Sequence, residues 1–189
     1  VYGRDMPLVL ADKSQLETAV MNLAVNARDA MRGVVEPGAG VVTIRTRRLT
    51  EAQARDLGWR EASGETALIE VSDTGPGVPP ELLDKIFEPF FTTKAVNEGT
   101  GMGLATVYGI VQQAGGHIGV TNLDGSGAAF RIFLPAASEQ ELTEVAPTEI
   151  KAKAEASGIE LCCIATSCKY ADPAEAAAAG AGTRQFIDL

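Results

Sequence analysis

Cysteine and histidine are scarce in this sequence: three Cys and one His. Cys162, Cys163 and Cys168 crowd near the end. Three crowded cysteines make no disulfide framework, and no histidine stands at a familiar zinc spacing from them, so they read as inert reduced thiols of a cytosolic protein. Long hydrophobic runs are also missing. No stretch approaches the length of a transmembrane helix, and no signal peptide opens the chain. Positive charge is in deficit, with 16 Lys and Arg against 25 Asp and Glu and a net charge of -9. That balance argues against a nucleic-acid groove or an anionic membrane surface as partner. It leaves room for a phosphate ligand, because backbone amides, a metal ion and a few local cations hold phosphates inside acidic proteins.

What is present suffices for one ordinary domain with some chain to spare: 189 residues, 46% of them apolar. Residues 1–10 read as a strand already under way, which implies a piece of a longer protein. Ser14 followed by Glu17 fits a capping box for a helix running to about Met31, before Gly33. A Gly/Pro turn follows. Residues 41–48 alternate as a strand, and 49–64 form a charged excursion with a short helix near 51–57. Residues 67–72 are a strand, 73–80 a Gly/Pro loop and 81–87 a short helix. A polar, Gly-rich loop occupies 90–103. Residues 104–114 are helical, 117–121 and 129–134 are strands joined by a turn, and Pro135 closes the pattern. Helices and strands alternate, with turn-linked strand pairs among them. The expected fold is α/β: a two-layer sandwich with a mixed, mostly antiparallel sheet packed on three helices. Composition shifts after Ala136, where 139–155 reads as a charged helix or linker and 159–164 as a strand or an apolar patch.

Three stretches carry chemistry. In the first helix Thr18, Asn22, Asn26 and Asp29 share one stripe, beside an apolar face of Leu16, Val20, Leu23, Ala27 and Ala30. A carboxamide oxygen is a fair ligand for Mg²⁺. On the helix alone, solvent-facing carboxamides are the simpler reading. The second stretch, Asp73-Thr74-Gly75-Pro76-Gly77-Val78-Pro79, follows a strand. Its glycines permit close backbone approach, and a carboxylate at a strand end can accept from an adenine amino group. An ordinary turn explains this stretch equally when it is taken by itself. The third, Gly99-Thr100-Gly101-Met102-Gly103-Leu104, precedes a helix and exposes amides at its positive end, which suits phosphates. No strand leads into it and no Gly-Lys-Ser/Thr follows, so it is neither a Rossmann nor a Walker A loop. Between the last two lie Phe87, Phe90, Phe91, Thr92, Thr93 and Lys94, either core or the anchor of a mobile lid.

The order of these stretches, closed by Gly125-x-Gly127 and a strand, resembles the N, G1, F, G2 and G3 boxes of the Bergerat-fold (GHKL) ATPases, and within them the histidine kinase catalytic domains. The resemblance covers about residues 1–135. The wording of residues 16–31 and 99–116 looks most like CckA-type hybrid sensor histidine kinases. The resemblance implies that ATP or ADP binds with Mg²⁺ on Asn26. Asn22 lies one turn before it, near the phosphates, and Asp73 holds the adenine amino group. Gly75, Gly77 and Val78 shape the adenine pocket, and residues 80–103 form the ATP lid. Thr93, Lys94, Gly99, Thr100, Gly101, Met102, Gly103 and Leu104 belong to the phosphate and lid contacts. Phe87 and Phe90 help dock the lid and the phosphoacceptor helix. Asn22, Asn26 and Lys94 are the residues implied in catalysis.

Gyrase-like and chaperone-like relatives of this fold carry a Glu base where this chain has Asn22. Without that carboxylate fast hydrolysis is not expected. The γ-phosphoryl group goes instead to a histidine on a separate dimerisation hairpin, and from there to a response regulator. His117 opens a strand after a Gly-Gly stop and reads as a half-buried strand residue, not a phosphoacceptor. Tyr108 reads as a packing residue; the resemblance adds the alternative that it stacks on a guanine of cyclic di-GMP. The fragment is expected to be a monomeric cytoplasmic domain, and whether the full-length kinase is anchored in the inner membrane stays open. Three departures from the pattern stand out. Asp29 replaces a frequent Lys, leaving Arg28 or Lys94 for the cationic role. Ala128 replaces a frequent Thr, and residues 136–189 resemble no receiver domain. The competing readings are a self-contained GHKL-type ATPase, a nucleotide-binding regulatory module, and a serine kinase of the anti-sigma type.

Overall fold

The computed structural model describes residues 5–32, 34–36, 39–93, 100–124 and 127–138, together with the backbone of 161–162. The elements in chain order are β1 (Val9–Leu10), α1 (Lys13–Met31), β2 (Val42–Leu49), α2 (Glu51–Asp56), β3 (Thr66–Asp73), a 3₁₀ turn (Pro80–Leu82), α3 (Gly103–Gln113), β4 (His117–Asn122), β5 (Ala128–Pro135) and β6 (Leu161–Cys162). Strands β2, β3, β5 and β4 lie side by side in that order, and every pairing is antiparallel. β1 and β6 form a separate two-residue antiparallel ribbon.

Strand periodicity divides the sheet into two faces. Ala67, Ile69 and Val71 of β3 and Phe130, Ile132 and Leu134 of β5 point to one side. They pack there against Leu16, Ala19 and Leu23 of α1 and Val107 and Val111 of α3. Those helix positions recur at spacings of three and four, so each helix lays one apolar stripe on the sheet. The intervening residues Leu68 and Phe133 face the other side and form a smaller cluster with Leu49, Ala54, Trp59 and Ala62. The two-layer expectation holds, with α2 and the turn bearing Trp59 closing part of the opposite face.

Several local expectations are corrected. α1 is capped by Asp12, whose Oδ1 accepts from the Gln15 N–H at 2.9 Å, not by Ser14 with Glu17. The capping box belongs to α2, where Thr50 and Gln53 satisfy each other's backbone. Of the opening strand expected over 1–10, Val9–Leu10 is the part that is a strand among the described residues. The short helix expected at 81–87 is a single 3₁₀ turn with Pro80 in its first positions, where a missing N–H costs nothing. Of the doubtful stretch at 159–164, Leu161–Cys162 pairs with β1. Residues 139–155, Cys163 and Cys168 lie outside the described residues.

His117 is half-buried at the start of β4. Its ring stacks on Trp59, with centroids 6.4 Å apart and planes 5° from parallel, and it also touches Phe133. Burial lowers its pKa from the ordinary 6.5, and the negative charge of Glu61 opposes this. The unfolded chain therefore takes up this proton at a higher pH than the folded one. The stability contributed by neutral His117 is complete above about pH 6.5 and falls as pH drops from there through the lower folded pKa. Thermal melts from pH 8 to 5 should show a steeper loss for the wild type than for His117→Gln, whose side chain does not titrate. Parallel slopes would contradict it.

Candidate nucleotide site

One end of the sandwich gathers the chemistry. The end of β3, the start of β5, the end of β4, the last turns of α1 and the first turn of α3 all arrive there. Asp73 is the last residue of β3, between Val42 of β2 in register on one side and the start of β5 on the other. Its side chain is 5% exposed. Oδ1 accepts from the Gly75 N–H at 2.8 Å and, more weakly, from the Ala128 N–H at 3.4 Å. Two backbone donors on one carboxylate oxygen fix the group's orientation and leave Oδ2 outside these two bonds. Ala128, which lacks the hydroxyl of the frequent Thr, thus contributes its backbone N–H to the site.

The start of the following loop is held against neighbouring elements. The Thr74 hydroxyl accepts from the Val41 N–H at 3.0 Å, ahead of β2, and contacts Met31 Sδ at the end of α1 at 3.5 Å. Gly127 sits against the Asp73 carbonyl so closely that a Cβ there would lie 1.9 Å from that oxygen, and its φ is +95°. Only glycine combines that conformation with that approach.

The second half of the site is the seam between α1 and α3. Asn22 and Asn26 are half-buried on α1. The Asn26 amide nitrogen lies 3.7 Å from the position a Cβ would take at Gly103, the first residue of α3. The carboxamide therefore stands at the amino end of that helix. The N-cap Met102 supplies no side-chain hydrogen bond to the first turn, and the Thr100 hydroxyl reaches the Met102 N–H only at 3.4 Å. A helix start without a side-chain cap keeps its amides available to an anion.

Phe90 and Gly101 meet directly. The Phe90 N–H donates to the Gly101 carbonyl at 2.9 Å. Gly101 has a φ of +64°, and a Cβ there would lie 2.4 Å from the Phe90 carbonyl carbon. Phe87 turns inward, edge-on to Phe130 at 6.5 Å and tilted on Tyr108 at 6.0 Å. Phe90 is 75% exposed and Tyr108 45%. Sequence reasoning paired the two phenylalanines; the structure separates a core anchor from an exposed ring. Thr93 is exposed, and Leu104 packs against the core. Lys94 and Gly99 lie outside the described residues, as does Gly125. Arg28 is exposed and ion-pairs with its chain neighbour Asp29 at 2.8 Å.

One residue at this end escaped the sequence reading. Asn122, the last residue of β4, accepts from the Val78 N–H and donates to the Val78 carbonyl, both at 2.7 Å. An Asn before a turn reads as a turn former, and nothing local in the sequence links it to a loop 44 positions away.

Residues 11–138 match the family described as histidine kinase-, DNA gyrase B-, and HSP90-like ATPase. The chain is 47% identical over 153 residues to the sensor kinase CckA of Brucella abortus (strain 2308), covering 80% of this chain and 16% of that protein. It is 41% identical over 134 residues to the two-component sensor PprA of Pseudomonas aeruginosa, covering 71% of this chain and 13% of that protein. Among solved structures, the mycobacterial sensor histidine kinase MprB superposes with a TM-score of 0.52 at 29% identity, over 71% of this chain and 79% of that one. Full-length ShkA in complex with AMPPNP gives 0.52 at 28% identity, over 72% of this chain and 25% of that one. The chain spans about a sixth or less of the length of the curated relatives named here. Among the described residues no helix is long and apolar enough to cross a membrane. The motifs, the antiparallel sheet under α1 and α3 and these likenesses agree: the chain belongs to the histidine kinase-, DNA gyrase B-, and HSP90-like ATPase family, as an ATPase domain of the two-component sensor kinase type.

Proposed function

We propose that this chain binds ATP and transfers its γ-phosphoryl group to a histidine on a separate dimerisation hairpin of a longer kinase, which then passes it to a response regulator. Residues 1–135 are the catalytic unit, with the lid over about 80–103; residues 136–189 are a linker or atypical tail. The observation that carries the reading is the convergence of two unlike subsites at one end of the sheet. A buried carboxylate held by two amides suits an adenine amino group. A carboxamide beside a helix start without a side-chain cap suits phosphates.

Asp73 Oδ2 accepts the adenine amino proton, and Gly75, Gly77 and Val78 pack against the ring. The amides of Gly101, Met102 and Gly103 face the phosphates, with Thr93, Lys94, Gly99, Thr100 and Leu104 completing the lid side. Asn26 offers the oxygen donor that a hard cation accepts, so the residues fit Mg²⁺. When bound, Mg²⁺ would neutralise charge on the β- and γ-phosphates. Asn22, one turn earlier, orients the same phosphates. Because it is not a carboxylate it cannot take a proton from water, which favours transfer to an imidazole over hydrolysis by a self-contained ATPase.

Calorimetric titration with AMPPNP and Mg²⁺ should give one site per chain. The chain alone should hydrolyse ATP negligibly. With the helical hairpin of its own kinase added, acid-labile phosphate should form on the hairpin's histidine. A folded chain that binds no nucleotide would overturn the reading. Steady hydrolysis without the hairpin would transfer support to the self-contained ATPase. A finer reading concerns Tyr108, whose partly exposed ring, tilted on Phe87, offers a stacking face for cyclic di-GMP. Tyr108→Ala would then lose the dinucleotide and keep AMPPNP; a wild-type chain indifferent to it would end that part.

A further inference from the structure

We infer that Asn122 is a positioning residue for the adenine side of this site, acting through the backbone of Val78. The inference rests on the nucleotide-site reading and deepens it. The Asn122 carboxamide meets both polar groups of the Val78 peptide, N–H to Oδ1 and Nδ2 to C=O, at 2.7 Å each. Only one orientation of the amide satisfies both, so the side chain is pinned as a flat two-point bridge.

The bridge closes a ring. Asn122 pairs in register with Ala128 across β4 and β5. The Ala128 N–H reaches Asp73 Oδ1, which also accepts from the Gly75 N–H. Asp73 leads along the chain through Gly75 and Gly77 to Val78, and Val78 returns to Asn122. The loop is therefore tied to the sheet at its carboxylate end by β5 and at its far end by β4. Gly77 fits inside this ring only because it has no side chain: a Cβ there would lie 2.8 Å from Asn122 Oδ1.

The bonds are exposed, so each contributes little to global stability. Their value is conformational. Without the bridge, residues 75–78 are fixed only at the Asp73 end, and a purine must order the rest of the loop when it binds. The phosphate seam between Asn26 and Gly103 has no share in the ring. Loss of Asn122 should therefore weaken nucleotide affinity and spare the transfer step once nucleotide is bound.

The test uses the intact chain and two measurements. For Asn122→Ala, the AMPPNP dissociation constant should rise roughly tenfold at unchanged stoichiometry, well below the melting temperature. Asn122→Asp, which keeps an acceptor for the Val78 N–H but sets a second acceptor against its carbonyl, should also bind more weakly than the wild type. In the nucleotide-free chain, the Val78 amide should exchange with solvent deuterium faster in Asn122→Ala, while amides of the α1–α3 seam keep their rates. A wild-type dissociation constant in Asn122→Ala overturns the inference, even if the variant melts earlier. So does weakened binding with unchanged Val78 exchange, since the effect would not run through the bridge. Failure of the wild type itself to bind AMPPNP is a different result: it removes the nucleotide-site reading and this inference with it.

Discussion

Replacing Asp73 with Ala should weaken AMPPNP binding by about 100-fold or more, the scale of losing a hydrogen bond to a charged group together with its anchoring role. Two effects add. The adenine amino group loses its acceptor, and the Gly75 and Ala128 amides lose the oxygen that holds the loop to β5. Asp73→Asn separates them. Its carbonyl oxygen can still accept from both amides, so the fold should melt within a few degrees of the wild type. Its amide nitrogen, however, presents a donor where adenine also presents a donor. Binding should still fall by about tenfold or more, because an unmatched buried donor is costly. Calorimetry on both variants, with melting curves beside it, checks this. Wild-type affinity in Asp73→Asn would mean that adenine does not sit at this carboxylate.

Gly127→Ala should damage the fold and the site together. The added Cβ would lie 1.9 Å from the Asp73 carbonyl oxygen, with its nearest other neighbours also backbone, and φ is +95°. Backbone cannot step aside as a flexible side chain would, so β5 must withdraw from the end of β3. Overpacking and the backbone penalty together suggest about 2–4 kcal/mol, or a melting temperature lower by roughly 8–15 °C for a domain of this size. The Ala128 N–H would be drawn off Asp73, so nucleotide affinity should fall in whatever fraction remains folded. Gly119→Ala is the matched control: its Cβ would meet nothing nearer than His117 Nε2 at 3.9 Å. Its stability should stay within about 1 kcal/mol of the wild type. Equal melting of Gly127→Ala and the control would show that the strand ends are not packed as described.

The candidate site residues were legible in the sequence because a nucleotide would place demands that only a few residue types meet. Asp73 follows a strand, Asn26 shares a helix stripe with Asn22, and glycines stand wherever backbone comes close, as at Gly101 and Gly127. Element types were legible for a related reason: apolar residues recur at two in β3 and β5 and at three and four in α1 and α3. The boundaries were less so. Asp12 and Ser14 are both good helix caps, and nothing local chooses between them. The choice falls to Asp12, directly after the short β1, where α1 starts in the structure. The stretch at 81–87 carries helical composition, yet forms only one 3₁₀ turn.

The sequence alone determined which side chains could hold a nucleotide, because helix stripe, strand end and glycine loop are local patterns. Tertiary structure alone decided which of them meet. Asn26 faces Gly103 because α1 and α3 share one face of the sheet. Trp59, Phe133 and His117 build a second cluster because alternation along β3 and β5 exposes apolar groups on both faces. Asn122 bridges to Val78 because the ends of β3, β4 and β5 lie side by side. Each is a contact between residues far apart in the chain, fixed by packing geometry and not by any neighbour in sequence.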